Sequence, residues 1–186
     1  MLSMVQACHG GVVFNADVAA KLGEVLCEAQ RGKDKLEHLK PLSVVEKDGY
    51  WRVESSGRGE VKARRSKGFG VLIARSNGRV TDSGDIVFDA DLAVKIGEVL
   101  CEAHYGEKEI ARQRPLLAID KGGYWRVEGS FNRDRKIDGP AAFFLSIEKE
   151  DGRVSDIGKW LAYHPHPSVV PLIREHYRKK KAESGE

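Results

Sequence analysis

The chain writes nearly the same eight residues twice, "GYWRVESS" from Gly49 to Ser56 and "GYWRVEGS" from Gly123 to Ser130. The two tryptophans stand 74 positions apart (125 − 51). The same offset carries Phe14 onto Phe88, Pro41-Leu42 onto Pro115-Leu116, Phe69 onto Phe143, and Gly78-Arg79-Val80 onto Gly152-Arg153-Val154. "ADVAAKLGEVLCEA" aligns with "ADLAVKIGEVLCEA" with no insertion. Self-similarity of this extent marks a copied supersecondary unit rather than a site used twice. It limits the chain to two like units, over 12–85 and 86–159, and a remainder, 160–186, that has no counterpart after the first unit.

Each unit reads as a helix followed by four strands. In "DADLAVKIGEVLCEAHYG" a helical period places Leu92, Ile96, Val99, Leu100 and Ala103 on one stripe. Asp89 or Asp91 can cap its start and Gly106 can end it. Gly23 and Gly97 fall mid-helix, where glycine costs about 1 kcal/mol relative to alanine, so the helix backbone is expected to lie close against a sheet there. Downstream, "PLLAID" and "YWRVEGSF" flank a Lys-Gly-Gly hairpin signal, Lys-Asp-Gly in the first unit. "AAFFLSIEKE" and "RVSDIG" flank Asp-Gly, Asn-Gly in the first unit. The strand period turns Trp125 and Val127 toward the helix with Phe143, Leu145 and Ile147, and Tyr124, Arg126 and Glu128 the other way. The expected fold class is α+β, with one helix packed on a four-stranded antiparallel meander in each unit and a C-terminal helix opened by Pro171. The units could form two lobes or share one sheet. "VVF" and "IVF" ahead of the helices are candidate leading strands.

Composition excludes several function classes. A chain 41% hydrophobic and 32% charged is a globular type. No apolar run approaches the ~20 residues of a membrane span, and the N-terminus has no basic stretch leading into a long apolar one, so a cytoplasmic location is expected. Cys27 and Cys101 occupy equivalent helix positions and read as small buried hydrophobes. A net charge of +3 is too mild to point to nucleic acid, and no interleaved aromatics support stacking on bases. No nucleophile elbow, phosphate loop or metal-ligand spacing occurs. His104, Tyr105 and Asp120 are the candidate acid/base groups, but the offset replaces His104 by Gln30 and Tyr105 by Arg31. The expectation is therefore no catalytic residue, no cofactor and no metal.

The second unit resembles the nuclear-transport-factor-two fold immunity family, small bacterial proteins encoded beside polymorphic toxins. The likeness rests on Tyr105-Gly106-Glu107, Gln113 and Pro115, Trp125-Val127-Gly129, Gly139-Pro140 and Asp151-Gly152-Arg153. The first unit departs from it at Gln30-Arg31-Gly32 and at Ser55, and joins it through its likeness to the second. The resemblance implies cystatin-like units. It also implies a non-catalytic inhibitor of a cognate toxin effector, and the expected cytoplasmic location favours a toxin acting there, such as a nuclease or nucleotide-consuming enzyme. Relatives of the same cone-shaped fold that bind small ligands, or act as isomerases or dehydratases, form the alternative; a weak nucleic-acid-binding module is a second.

Two regions are candidate partner contacts. Tyr124, Arg126 and Glu128, with Tyr50, Arg52 and Glu54, give a strand face the composition of an interface hot spot, although solvated sheet faces can look the same. The loop "SSGRGEVKARRSKG" is the most divergent between the units, and Arg58, Arg64 and Arg65 on it are the further candidates.

Overall fold

The computed structural model of the protein describes residues 11–55, 69–81, 86, 88–129 and 143–159, with the single positions 171, 175 and 178. Helix α1 (Ala16–Arg31) starts where Asn15 Oδ1 accepts from the Val18 N–H at 2.9 Å, and stops at Gly32, whose φ of 87° favours a residue without Cβ. Short α2 (Lys33–Leu39) follows, then β1 (Leu42–Lys47), β2 (Tyr50–Ser55), β3 (Gly70–Ala74) and β4 (Val80–Thr81). The second half repeats the order. Helix α3 (Ala90–Tyr105) is capped by Asp89 Oδ1 on the Leu92 N–H at 2.8 Å and ends at Gly106 (φ 88°); α4 (Glu107–Gln113), β5 (Leu116–Asp120), β6 (Tyr124–Gly129), β7 (Phe143–Glu148) and β8 (Val154–Lys159) come after it. The strands form two separate four-stranded antiparallel sheets, β1-β2-β3-β4 and β5-β6-β7-β8.

Two details differ from the sequence expectation, and one open alternative, shared or separate sheets, is decided. Each half holds two helices rather than one, because Leu36 and Ile110 pin α2 and α4 onto the core. Seven residues, two turns at most, are too few to show a helical period. The sheets are not shared between halves. "VVF" forms no strand: Val13 is buried, and Val12 and Val13 donate backbone hydrogen bonds to Ser76 O (3.3 Å) and Arg75 O (3.1 Å) in the turn after β3. Of the C-terminal segment, Pro171, Glu175 and Arg178 are helical and exposed.

The buried side of each long helix consists of two adjacent rows. Ala19, Gly23 and Cys27 form a row of small residues. A Cβ on Gly23 would fall 2.4 Å from Val53 Cγ1 of β2, so this row is the one laid against the sheet. Ala93, Gly97 and Cys101 do the same in α3, where a Cβ on Gly97 would meet Val127 at 3.0 Å and Leu145 at 3.2 Å. The second row is large. Leu22 and Leu26 meet Ile96 and Leu100 around a closed apolar space of about 10 Å³, together with Val80 and Val154. This is the seam between the halves, and its contacts are reciprocal. Lys21 pairs with Glu102 (2.7 Å) and Lys95 with Glu28 (3.1 Å); the Val80 N–H donates to Asp151 O (2.9 Å) and the Val154 N–H to Asn77 O (2.8 Å). Exposed ion pairs contribute at most about 1 kcal/mol each, so the apolar row carries the seam and the charges set its register.

Both sheets use tryptophan in the same way. The Trp51 indole N–H donates to Val13 O (2.8 Å) and that of Trp125 to Phe88 O (2.6 Å), so each ties the lead-in of its helix to the sheet. A cation lies over each ring, Arg75 at 5.4 Å and Lys149 at 4.2 Å, and each cation is ion-paired to the neighbouring hairpin strand through Glu46 or Asp120.

Two outcomes follow. Gly23→Ala should destabilise the protein by about 1–3 kcal/mol in urea unfolding, because the gain in helix propensity is smaller than the cost of displacing buried Val53. Gly97→Ala, with looser contacts, should cost less; equal losses would mean the helices do not lie against the sheets as described. In a Cys8→Ser background the remaining thiols should stay unreactive toward a disulfide reagent until the protein is unfolded. Both are fully buried, and burial holds the Cys27 thiol above its ordinary value of 9.0.

Candidate functional site

The candidate acid/base groups do not converge. His104 Nε2 lies 3.1 Å from Val12 O and the ring packs edge-on against Phe14 at 5.1 Å, while Tyr105 stacks on Phe143 at 5.9 Å. Asp120 is exposed at the sheet edge. The Lys149 ammonium at 2.6 Å, then the Gly122 N–H at 2.8 Å, holds its carboxyl below the usual 3.8. A lowered carboxylate pKa is the opposite of what a general acid needs at neutral pH. Among the described residues no group of three or more His, Cys, Asp or Glu is placed to hold a metal ion. A depression of about 480 Å³, open to solvent, lies between the β1–β2 turn and the turn after β3, bordered by Tyr50, Arg75 and Asp48. It is not an enclosed apolar pocket of the kind that holds a small ligand.

The polar chemistry lies on the outer faces of the two sheets, away from the helices. Ladder pairs place Glu54 opposite Gly70 and Arg52 opposite Leu72 in the first sheet, and Glu128 opposite Phe144 and Arg126 opposite Ser146 in the second. The two outer faces are equivalent in position and different in state. In the second sheet, the Arg126 side chain is only 15% exposed. It reaches Asp156 Oδ2 (3.1 Å), Ser146 Oγ (3.0 Å) and Glu128 Oε1 (3.6 Å), and its guanidinium lies 3.8 Å over the Phe144 ring. Glu128, Ser146 and Phe144 are buried, and Tyr124 is half-buried. In the first sheet, Arg52 pairs with Glu54 at 2.9 Å and keeps 60% of its side chain exposed, beside exposed Tyr50, Val45 and Gly70.

Of the residues singled out from sequence, Arg126 and Glu128 come together in a largely buried cluster, Tyr124 is half-buried on the same strand, and Arg52 stands open on the twin face. Arg58, Arg64 and Arg65 lie outside the described residues. Val45, Leu72 and Gly70 were missed. The ladder register brings the third strand beside Arg52, and a search for charged clusters passes over apolar residues and glycine.

The fold defines a class: an α+β scaffold with, among the described elements, four helices and two four-stranded antiparallel sheets. Comparison with protein families narrows the class. Residues 92–159, which span α3 to β8 except for the first turn of α3, match the model of a family described as NTF2 fold immunity protein. No curated protein and no solved structure matches the chain. No described helix is long and apolar enough to cross a membrane.

The difference between the faces is measurable. Arg126→Ala should lower stability by about 2–3 kcal/mol in urea unfolding, since it strands buried Glu128 and uncovers the Phe144 ring. Arg52→Ala should cost less than about 1 kcal/mol. For Asp120, the sign of the pH effect is set by its lowered pKa: the pairing stabilises the fold above pH 3.8 and is lost as pH falls through the lower folded value. Lys149→Met should raise the carboxyl titration observed by NMR; an unmoved titration would mean that the ammonium is not its partner.

Proposed function

We propose that the protein is an immunity protein that binds a cognate bacterial toxin and blocks its active site or substrate path without catalysis of its own. The family match over residues 92–159 is the observation that carries this reading. Two features support it. His104 and Tyr105 adjoin, with ring centroids 6.2 Å apart, and both are engaged in packing while Asp120 is ion-paired; the apolar space described at the seam, about 10 Å³, is too small for a substrate. We read the chain as a duplication of one cystatin-like unit, over 12–85 and 86–159, followed by a segment, 160–186, peculiar to the second copy. The site of action is the cytoplasm and the toxin a nuclease or nucleotide-consuming enzyme. Partner contact involves the outer sheet faces, with Arg52 the best-presented of the candidates Tyr124, Arg126, Glu128 and Arg52; the loop residues Arg58, Arg64 and Arg65 are further candidates.

The test is co-expression with the toxin encoded beside this gene. A stable 1:1 complex is expected, with toxin activity titrated to zero at equimolar protein and recovered when the complex dissociates. Inhibition at sub-stoichiometric amounts, or chemical alteration of the toxin, would indicate an enzyme. Arg64→Glu with Arg65→Glu should weaken the complex if the loop takes part.

A further inference from the structure

The second sheet contains, within the chain itself, a filled version of a site that the first sheet leaves open. On β7, Phe144 lies opposite Glu128, with the Arg126 guanidinium stacked 3.8 Å over its ring and Asp156 bound to the same guanidinium at 3.1 Å. Phe144 is 4% exposed. Arg52 and Glu54 repeat Arg126 and Glu128 in the first sheet, in the same ladder positions. The position of Phe144, however, is taken by Gly70, which is exposed. Among the described residues, a Cβ built on Gly70 would meet only Glu54 Cβ, at 3.9 Å, and Gly70 itself is exposed, so the ring position of the twin opens to the surface here. The position of Ser146 is taken by Leu72, which adds apolar surface beside the opening, with Tyr50 and Val45 exposed on the same face.

We infer that the outer face of the first sheet is an aromatic-accepting slot in which a protein partner seats a Phe, Tyr or Trp ring over Gly70 and beneath Arg52, whose guanidinium is held by Glu54. This rests on the immunity reading for the identity of the partner as the toxin, but the chemistry of the slot is set by the twin face. Arginine stacked on an aromatic ring and held by a carboxylate is a strong surface recognition pair, because the flat guanidinium offers a face to the ring and an edge to the acid. The twin shows that this scaffold accommodates both at once. Leu72 and Tyr50 supply the apolar rim that excludes water from such an anchor.

Gly70→Phe fills the slot with the chain's own ring, as Phe144 does, and Arg52→Ala removes its lid. Both positions are exposed, so circular dichroism and melting should match the parent. Each variant should weaken binding of the toxin encoded beside the gene by about 30-fold or more, the loss associated with a hot-spot contact. If the parent binds the toxin and both variants bind equally well, the slot inference fails and the immunity reading stands. If the parent does not bind the toxin, the immunity reading fails, and 3-phenylpropionate, which carries such a ring, decides the slot. Titrated at millimolar concentration into nitrogen-15-labelled protein, it should shift the Gly70 amide and the Arg52 side-chain resonance, and Gly70→Phe should abolish the effect. Absence of those shifts, or their persistence in Gly70→Phe, would overturn the inference.

Discussion

The contact on which the architecture depends is the one made twice by each long helix, through two neighbouring rows of its surface. A helix that buries only one narrow stripe can lie on a sheet and leave the rest to water. Here the small row, Ala19-Gly23-Cys27 or Ala93-Gly97-Cys101, brings the helix onto its own sheet, and the large row, Leu22-Leu26 or Ile96-Leu100, is left to meet the twin. The glycines make both contacts possible. With a side chain at Gly23 the helix would stand off Val53, and the seam row would no longer be aimed at the other half.

The reciprocal seam has a consequence for function. Two like units packed as across a two-fold axis use up the same surface on each, and leave two equivalent outer faces. Equivalence of position does not compel equivalence of use. On the second sheet the arginine, glutamate and phenylalanine are drawn into a buried cluster, so that face contributes stability. On the first sheet the same arginine and glutamate remain, the phenylalanine is a glycine, and the arginine stays exposed. Two differences on the third strand, Gly70 for Phe144 and Leu72 for Ser146, accompany the change of state between like faces.

Most of the fold was legible in the sequence because its signals are local or repeat at a fixed offset. Asn15 and Asp89 cap the long helices, Gly32 and Gly106 end them, and the paired turns at Asp48-Gly49, Gly78, Gly122 and Gly152 take positive φ where turn residues predicted it. Short helices α2 and α4 were not legible, since seven residues span two turns at most and show no sustained period. Neither was the fate of "VVF", whose backbone partners lie more than 60 residues away in the turn after β3. Part of the site was legible: the strand period turned Tyr-Arg-Glu away from the helix in both copies. The contribution of Gly70 was not, because a glycine reads from sequence as a break in a strand and shows itself as an opening only beside its ladder partner.

The sequence by itself determined that the chain is built from two like units, which residues start and stop each helix, and which face of each strand meets it. These follow from backbone preference and from side-chain periods of two and 3.6 residues, which act over a few neighbours. Only the tertiary structure decided that the halves keep separate sheets and meet through Leu22, Leu26, Ile96 and Leu100, and that Arg126 is enclosed while Arg52 is open. Burial is a property of everything packed around a residue, and two copies of one octet carry the same local signal whatever surrounds them.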